Sequence, residues 1–158
     1  MLPTEVRVGW VFHYAYLWDW QHREGREEGD KDRPCLVLAI VLTTEDGQPM
    51  VRVLPITHTP PDDPADAIEI KNRLRLDDER SWIILTESNR FVWPGWDLRA
   101  VDSESGYYGA LTPGLFAEVK RDRPRRGRDR AAPERGAQEI MQSCITINGK
   151  LVELRTSQ

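Results

Sequence analysis

The apolar run Cys35-Leu36-Val37-Leu38-Ala39-Ile40-Val41-Leu42 constrains this chain more than any other feature. Eight such residues in a row, several of them β-branched and entered from Pro34, predict a strand buried on both faces. Glu45-Asp46-Gly47-Gln48 supplies a turn, and Met50-Val51-Arg52-Val53-Leu54-Pro55-Ile56-Thr57 returns as the antiparallel partner. Upstream, Val6 to Tyr14 mixes β-branched and aromatic residues and reads as a strand with a bend at Gly9. Downstream, Ala67–Ile70, Trp82–Thr86 and Asn89–Trp93 read as further strands, and Leu74–Asp77 as a strand or a helical turn. Thr112 at the N-cap and Pro113 at the first helical position open an amphipathic helix over Leu115–Arg121. The expected fold class is mainly β with a late helix, as a small barrel or sandwich.

A chain of 158 residues with 39% hydrophobic and 30% charged residues can build one modest core. No stretch approaches the roughly 20 apolar residues that span a bilayer. The N-terminus lacks the basic start and apolar stretch of a signal peptide, so a cytoplasmic location and no membrane partner are expected. Cys35 and Cys144, each flanked by apolar residues, read as reduced, buried thiols. The net charge of -4 hides an asymmetry: residues 1–120 carry 13 Lys and Arg against 21 Asp and Glu, residues 121–158 carry 9 against 5. An acidic body argues against a broad phosphate-binding face, because backbone contacts need local cations. We therefore expect a barrel over 1–120 and a basic linker or arm over 121–136. A C-terminal extension over 137–158 would hold a helical turn at Ala137–Gln142 and a hairpin around Asn148-Gly149.

No metal is expected, because His13, His22, His58, Cys35 and Cys144 show no ligand spacing, and no cofactor-binding glycine loop or G-x-S-x-G elbow is present. What remains is a charged run from Gln21 to Asp32, read as a long exposed loop, which leads into Arg33-Pro34. If the two apolar strands pair through the Gly47 turn, the start of the first lies beside the end of the second. Arg33, Thr57 and His58 then cluster at one sheet end, with Glu27 and Glu28 above them. Such a set can cleave RNA: a base takes the 2′-hydroxyl proton, an acid protonates the departing 5′ oxygen, and a fixed cation steadies the phosphoryl charge. Glu28 is placed as base, Arg33 as phosphate clamp, Thr57 as hydrogen-bond donor and His58 as acid. The same residues also read as solvated loop charges, a surface ion-pair partner and a strand-end cap.

Gly9-Trp10-Val11, Arg33-Pro34-Cys35-Leu36-Val37-Leu38 and Val51-Arg52-Val53-Leu54-Pro55-Ile56-Thr57 together resemble the MazF/PemK/Kid family of toxin endoribonucleases. Trp82 to Arg99 resembles a version found in PemK-like growth inhibitors, and the likeness covers roughly residues 6–120. The resemblance implies an SH3-like barrel with a terminal helix, a homodimer neutralised by a cognate antitoxin, and metal-free cleavage of single-stranded RNA. It carries the family's arginine onto Arg33 and its threonine onto Thr57. The glutamate falls on Glu28, with Glu27 and Glu24 as rivals, and His58 has no secure counterpart. Trp18, Trp20, Arg90, Trp93 and Trp96 are candidates for RNA contact. Trp93 and Trp96, flanking Pro94-Gly95, would either stack on bases or enter a dimer interface. The competing reading is a non-catalytic SH3-like module, or a gyrase-poison relative, that binds another protein. The two separate on whether Arg33, Thr57 and a glutamate converge.

Overall fold

The computed structural model describes residues 1–25, 31–71, 74, 76 and 80–123, together with the strands Arg130–Ala131, Cys144–Ile147 and Lys150–Glu153. Glu27, Glu28, the arginine-rich stretch 124–129, the helical turn expected over 137–142 and the Asn148-Gly149 turn lie outside the described residues.

The apolar run forms β2 (Arg33–Thr43), and its partner β3 (Pro49–Thr57) pairs with it from Cys35↔Pro55 to Thr43↔Pro49. Gly47, at φ 81°, turns the chain between them where a side chain would be strained. On the other side of β2 lies β1 (Trp10–Tyr14), which begins just after Gly9 at φ 84°. Both β1 and β3 divide their partners. The early part of β3 pairs with β6 (Glu87–Val92), and its last two residues pair with β5 (Arg80–Ile84). Likewise β1 pairs with β8 (Gly109–Ala110) at its start and β7 (Leu98–Arg99) at its end. The sheet curls into an antiparallel half-barrel with β4 (Ala67–Lys71), paired to β5, at one edge. The molecule is mainly β, as expected, and compatible with a small barrel.

Alternation along β2 and β3 explains the continuous apolar run. Leu36, Leu38, Leu54 and Ile56 enter one core cluster with Ile68, Ile83, Leu85 and Val119. Cys35, Val37, Val51 and Val53 enter a second, aromatic cluster with Phe12, Tyr14, Tyr16, Phe91, Trp93 and Tyr107. The first is covered by α2 (Pro113–Asp122), whose N-cap Thr112 accepts a hydrogen bond from the Leu115 N–H and whose Pro113 needs no partner, as the sequence predicts. Double burial ends early: Ile40, Val41 and Leu42 are exposed, because β1 pairs with β2 only as far as Leu36, while the β3 partners Val51 and Met50 stay buried beside β6.

Two further expectations need correction. The segment after Trp18 is not simply an exposed loop, since Asp19–Arg23 forms the short helix α1. Gln21, buried at its third position, accepts from the Trp18 N–H, the reach-back half of a capping box. The strand read as Asn89–Trp93 starts two residues earlier, at Glu87, which brings a carboxylate into the sheet. Leu74 and Leu76, described within the ambiguous 74–77 segment, belong to neither strand nor helix. Beyond α2, β9 (Arg130–Ala131) lies parallel to β6 with Glu87↔Arg130, and β10 (Cys144–Ile147) pairs with β11 (Lys150–Glu153) as a hairpin.

Candidate functional site

Arg33 opens β2 opposite Tyr14 of β1. The β2–β3 ladder ends at Cys35↔Pro55, and its register carried two residues further sets Arg33 across from Thr57. Both residues then share the face of Cys35, Val37, Val51 and Val53, because side chains two apart on a strand point the same way. Carrying the β3–β6 register from Val53↔Asn89 two residues on sets Glu87 opposite Pro55, again on that face. The carried registers set Arg33, Thr57 and Glu87 toward one end and one face of the sheet.

The Arg33 side chain is half-buried, with its guanidinium 4.6 Å from the centre of the Trp18 ring. Its Nε–H is buried without a hydrogen-bond partner among the described residues. Burial lowers its pKa from the ordinary guanidinium value, while the neighbouring Cys35, Tyr16 and Glu87 oppose that shift. Burial also pushes the Tyr16 hydroxyl well up, and the Glu87 carboxylate adds to the effect. Cys35, wholly buried, has its thiol pushed far up by desolvation, against the pull of Arg33, so it is a packed neutral group that donates a weak hydrogen bond to the Arg33 carbonyl. The site is thus one guanidinium stacked on an indole, with a carboxylate and a buried phenol beside it.

Its frame is specific. With its amide turned to suit its neighbours, Asn89, wholly buried on β6, donates to the Leu17 carbonyl and accepts from the Leu17 N–H, 3.1 Å each, clamping the segment that carries Tyr16 and Trp18. Asp32, immediately before Arg33, accepts from Arg99 Nε at 3.1 Å. Thr57 is half-buried, and its Oγ1 accepts from the Thr59 N–H at 3.2 Å, leaving the hydroxyl proton to be given elsewhere. His58 follows in an exposed bend.

The tryptophans divide sharply. Trp93 is 2% exposed and edge-on to Phe12 at 5.3 Å between ring centres, so its faces are closed to a base and it is a core residue. Its loop position was misleading because Phe91 and Tyr107 stack over it. Trp96, 98% exposed, projects freely. Trp20 is 51% exposed on α1, and Trp18 is half-buried beneath Arg33. Arg90 lies on β6 directly across from Arg52 of β3, on the opposite sheet face from Arg33. Of the carboxylates considered from sequence, Glu24 is exposed just after α1. Glu87 was overlooked; its signal was the alternation Glu87, Asn89, Phe91 on one face of a strand.

No group of three or more His, Cys, Asp or Glu side chains among the described residues is arranged to hold a metal ion. No described helix is long and apolar enough to cross a membrane. A cleft of about 400 Å³ lies elsewhere, between β4 and α2, with Glu69, Glu118 and Asp122 on its rim. The chain matches no family model, no curated protein and no solved structure.

Proposed function

We propose that this chain is an endoribonuclease of the toxin–antitoxin kind, cutting single-stranded RNA through attack of the 2′-hydroxyl, on an SH3-like barrel. Its support is one arrangement: the strand registers carry Arg33 and Thr57 toward a common end and face of the sheet, with the Glu87 carboxylate among the charges that act on Arg33. In this mechanism the Arg33 guanidinium, held over the Trp18 ring, donates to one phosphoryl oxygen, and Thr57 Oγ1–H donates to a second. Glu87 takes the 2′-hydroxyl proton, with Glu28, Glu27 and Glu24 as the rival bases. As the 2′-oxygen bonds to phosphorus, the P–O5′ bond breaks, and the departing oxygen takes a proton from the general acid, for which His58 is the candidate. The products are a 2′,3′-cyclic phosphate and a 5′-hydroxyl end. These groups supply acid, base and charge from protein side chains. Trp96 offers an open face on which an unpaired base can stack. A homodimer and a cognate antitoxin complete the proposal.

A second reading is favoured by the exposed apolar stretch Ile40-Val41-Leu42 of β2, which suits a protein-binding barrel without catalysis. Induction of the wild-type chain and an Arg33→Ala variant in a bacterial host, followed by mapping of RNA 5′ ends, separates them. Growth arrest with new 5′-hydroxyl ends at a recurring short sequence, lost in the variant, supports the nuclease. Arrest without such ends supports a protein target.

A further inference from the structure

Three strands lie side by side where the sheet ends at Arg33. Arg33 of β2 is the register partner of Tyr14 of β1, and Tyr14 is in turn the partner of Leu98 of β7. Two strand spacings separate Arg33 from Leu98, about 10 Å between backbones. Both pairings are antiparallel, so β7 enters the sheet from the same end as β2, and Trp96 precedes Leu98 there as Asp32 precedes Arg33. The Leu98 N–H donates to the Gly95 carbonyl at 3.4 Å, closing a turn with Trp96 and Asp97 at its middle, and the Ala15 N–H donates to the Asp97 carbonyl at 3.0 Å. One side chain ties the two strand entries together. Arg99 Nε donates to Asp32 Oδ2 at 3.1 Å, and its Nη1 is shared between the carbonyls of Trp96 and Leu98 at 3.3 Å each. Arg99 is paired with His13, one residue on from the Arg33 row, and therefore lies on the sheet face opposite Arg33. The backbone of Trp96 is thus pinned, while its indole is left open to solvent.

We propose that Arg99 is a positioning residue for RNA recognition: it holds Trp96 at a fixed separation from Arg33, so that Trp96 stacks the base of a nucleotide neighbouring the one whose phosphate Arg33 binds. The inference rests on the reading of Arg33 as a phosphate clamp for RNA. Every base has a π-face, so the ligand class is a single strand with an unpaired base beside the bound phosphate. A turn already held in place does not have to be ordered when the strand binds, and Arg99 supplies that order without touching the RNA itself. The Arg99 and Asp32 side chains are 38% and 41% exposed, so their pair contributes little to folding and can be removed with the fold intact.

The test measures binding of the full chain to a fluorescently labelled, unstructured oligoribonucleotide carrying 2′-O-methyl groups throughout, by anisotropy at constant ionic strength. No 2′-hydroxyl is present, so the strand stays whole and affinity is read apart from chemistry. Trp96→Ala and Arg99→Ala should each weaken binding about threefold or more. Arg99→Ala added to Trp96→Ala should cost less than about twofold further, because Arg99 acts through Trp96. A merely structural or electrostatic role for Arg99 would give the same loss in both backgrounds. Arg99→Lys, which keeps the charge beside Asp32 but not the fork, serves if Arg99→Ala fails to fold, and should still weaken binding. An abasic oligomer of the same length should bind with no dependence on Trp96. No binding by the wild type, unchanged affinity in Trp96→Ala or in the Arg99 variants, equal losses in both backgrounds, or a Trp96 dependence with the abasic oligomer would each overturn the proposal. The nuclease reading fails on a different readout, the lack of new 5′-hydroxyl ends on induction. Binding that depends on Trp96 and Arg99 without such ends keeps the recognition and removes the chemistry.

Discussion

The guanidinium of Arg33 lies 4.6 Å from the centre of the Trp18 ring, so the residue that opens β2 is oriented by one that precedes α1. The contact ties the candidate site to the segment that leads into α1, outside the β2–β3 hairpin. A cation over an indole contributes about 0.5–2 kcal/mol. Trp18→Ala should therefore lower kcat/KM for RNA cleavage about 2- to 30-fold, while Trp18→Phe keeps most of it. Steady-state cleavage of a labelled oligoribonucleotide measures this, and an unchanged rate in Trp18→Ala would show that Arg33 needs no support from the ring.

Asn89 supplies both partners of the buried Leu17 peptide groups. Asn89→Ala strands one N–H and one carbonyl, each costing about 1–3 kcal/mol. A loss of about 2–6 kcal/mol in urea unfolding is expected, and a loss under about 1 kcal/mol would mean that water replaces the amide.

The two tryptophans around Pro94-Gly95 should behave as opposites. Trp93→Ala empties a packed aromatic core and should cost about 3–5 kcal/mol. Trp96→Ala should change stability by less than about 0.5 kcal/mol while weakening RNA binding by about 1–3 kcal/mol, the worth of one stacked base. Equilibrium binding to the Arg33→Ala protein reads the second effect without cleavage. If Trp96→Ala binds RNA as tightly as its parent, the stacking role is wrong.

Gly106 sits at φ 75°, and a β-carbon placed there would come within 2.4 Å of the Pro3 nitrogen. The Leu2–Pro3 backbone cannot give way by a side-chain rotation, and the Met1 amino group is already bonded to the Val101 carbonyl at 2.6 Å. Gly106→Ala should cost about 2–4 kcal/mol and release the N-terminal segment. Thermal unfolding with limited proteolysis near residue 3 checks both parts, and a native-like midpoint would contradict the close approach.

Burial raises the pKa of Cys35 and of Tyr16. The native chain then holds protons that the unfolded chain has released, so stability falls as pH rises. Stability is unaffected below each group's ordinary value and falls above it, from about pH 8.5 for the Cys35 thiol and from about pH 10 for the Tyr16 phenol, by up to about 1.4 kcal/mol per pH unit for each. Chemical unfolding between pH 7 and 11 should show this decline, with Cys35→Ala removing its first part. A flat profile would mean that neither group stays protonated in the fold.

Much of this architecture was legible because it is local. The run Cys35–Leu42, the Gly47 turn and the cap at Thr112-Pro113 each encode their element within a few residues, by apolar continuity, positive φ and a matched N–H acceptor. The pairing of β2 with β3 followed from the turn, and with it the neighbourhood of Arg33 and Thr57. Only the tertiary structure decided the rest. Trp93 is core because Phe12, Phe91 and Tyr107 arrive from three segments to close around it, whereas Trp96, three residues later, meets nothing. Glu87 joins Arg33 because β6 pairs with β3 in a register that no nearby residue encodes, and Ser88 turns to Arg52 and Arg123 by the same register. Strand alternation is written in the chain, but which strand lies alongside is settled by the summed packing of two core clusters, and that sum exists only once the sheet has curled.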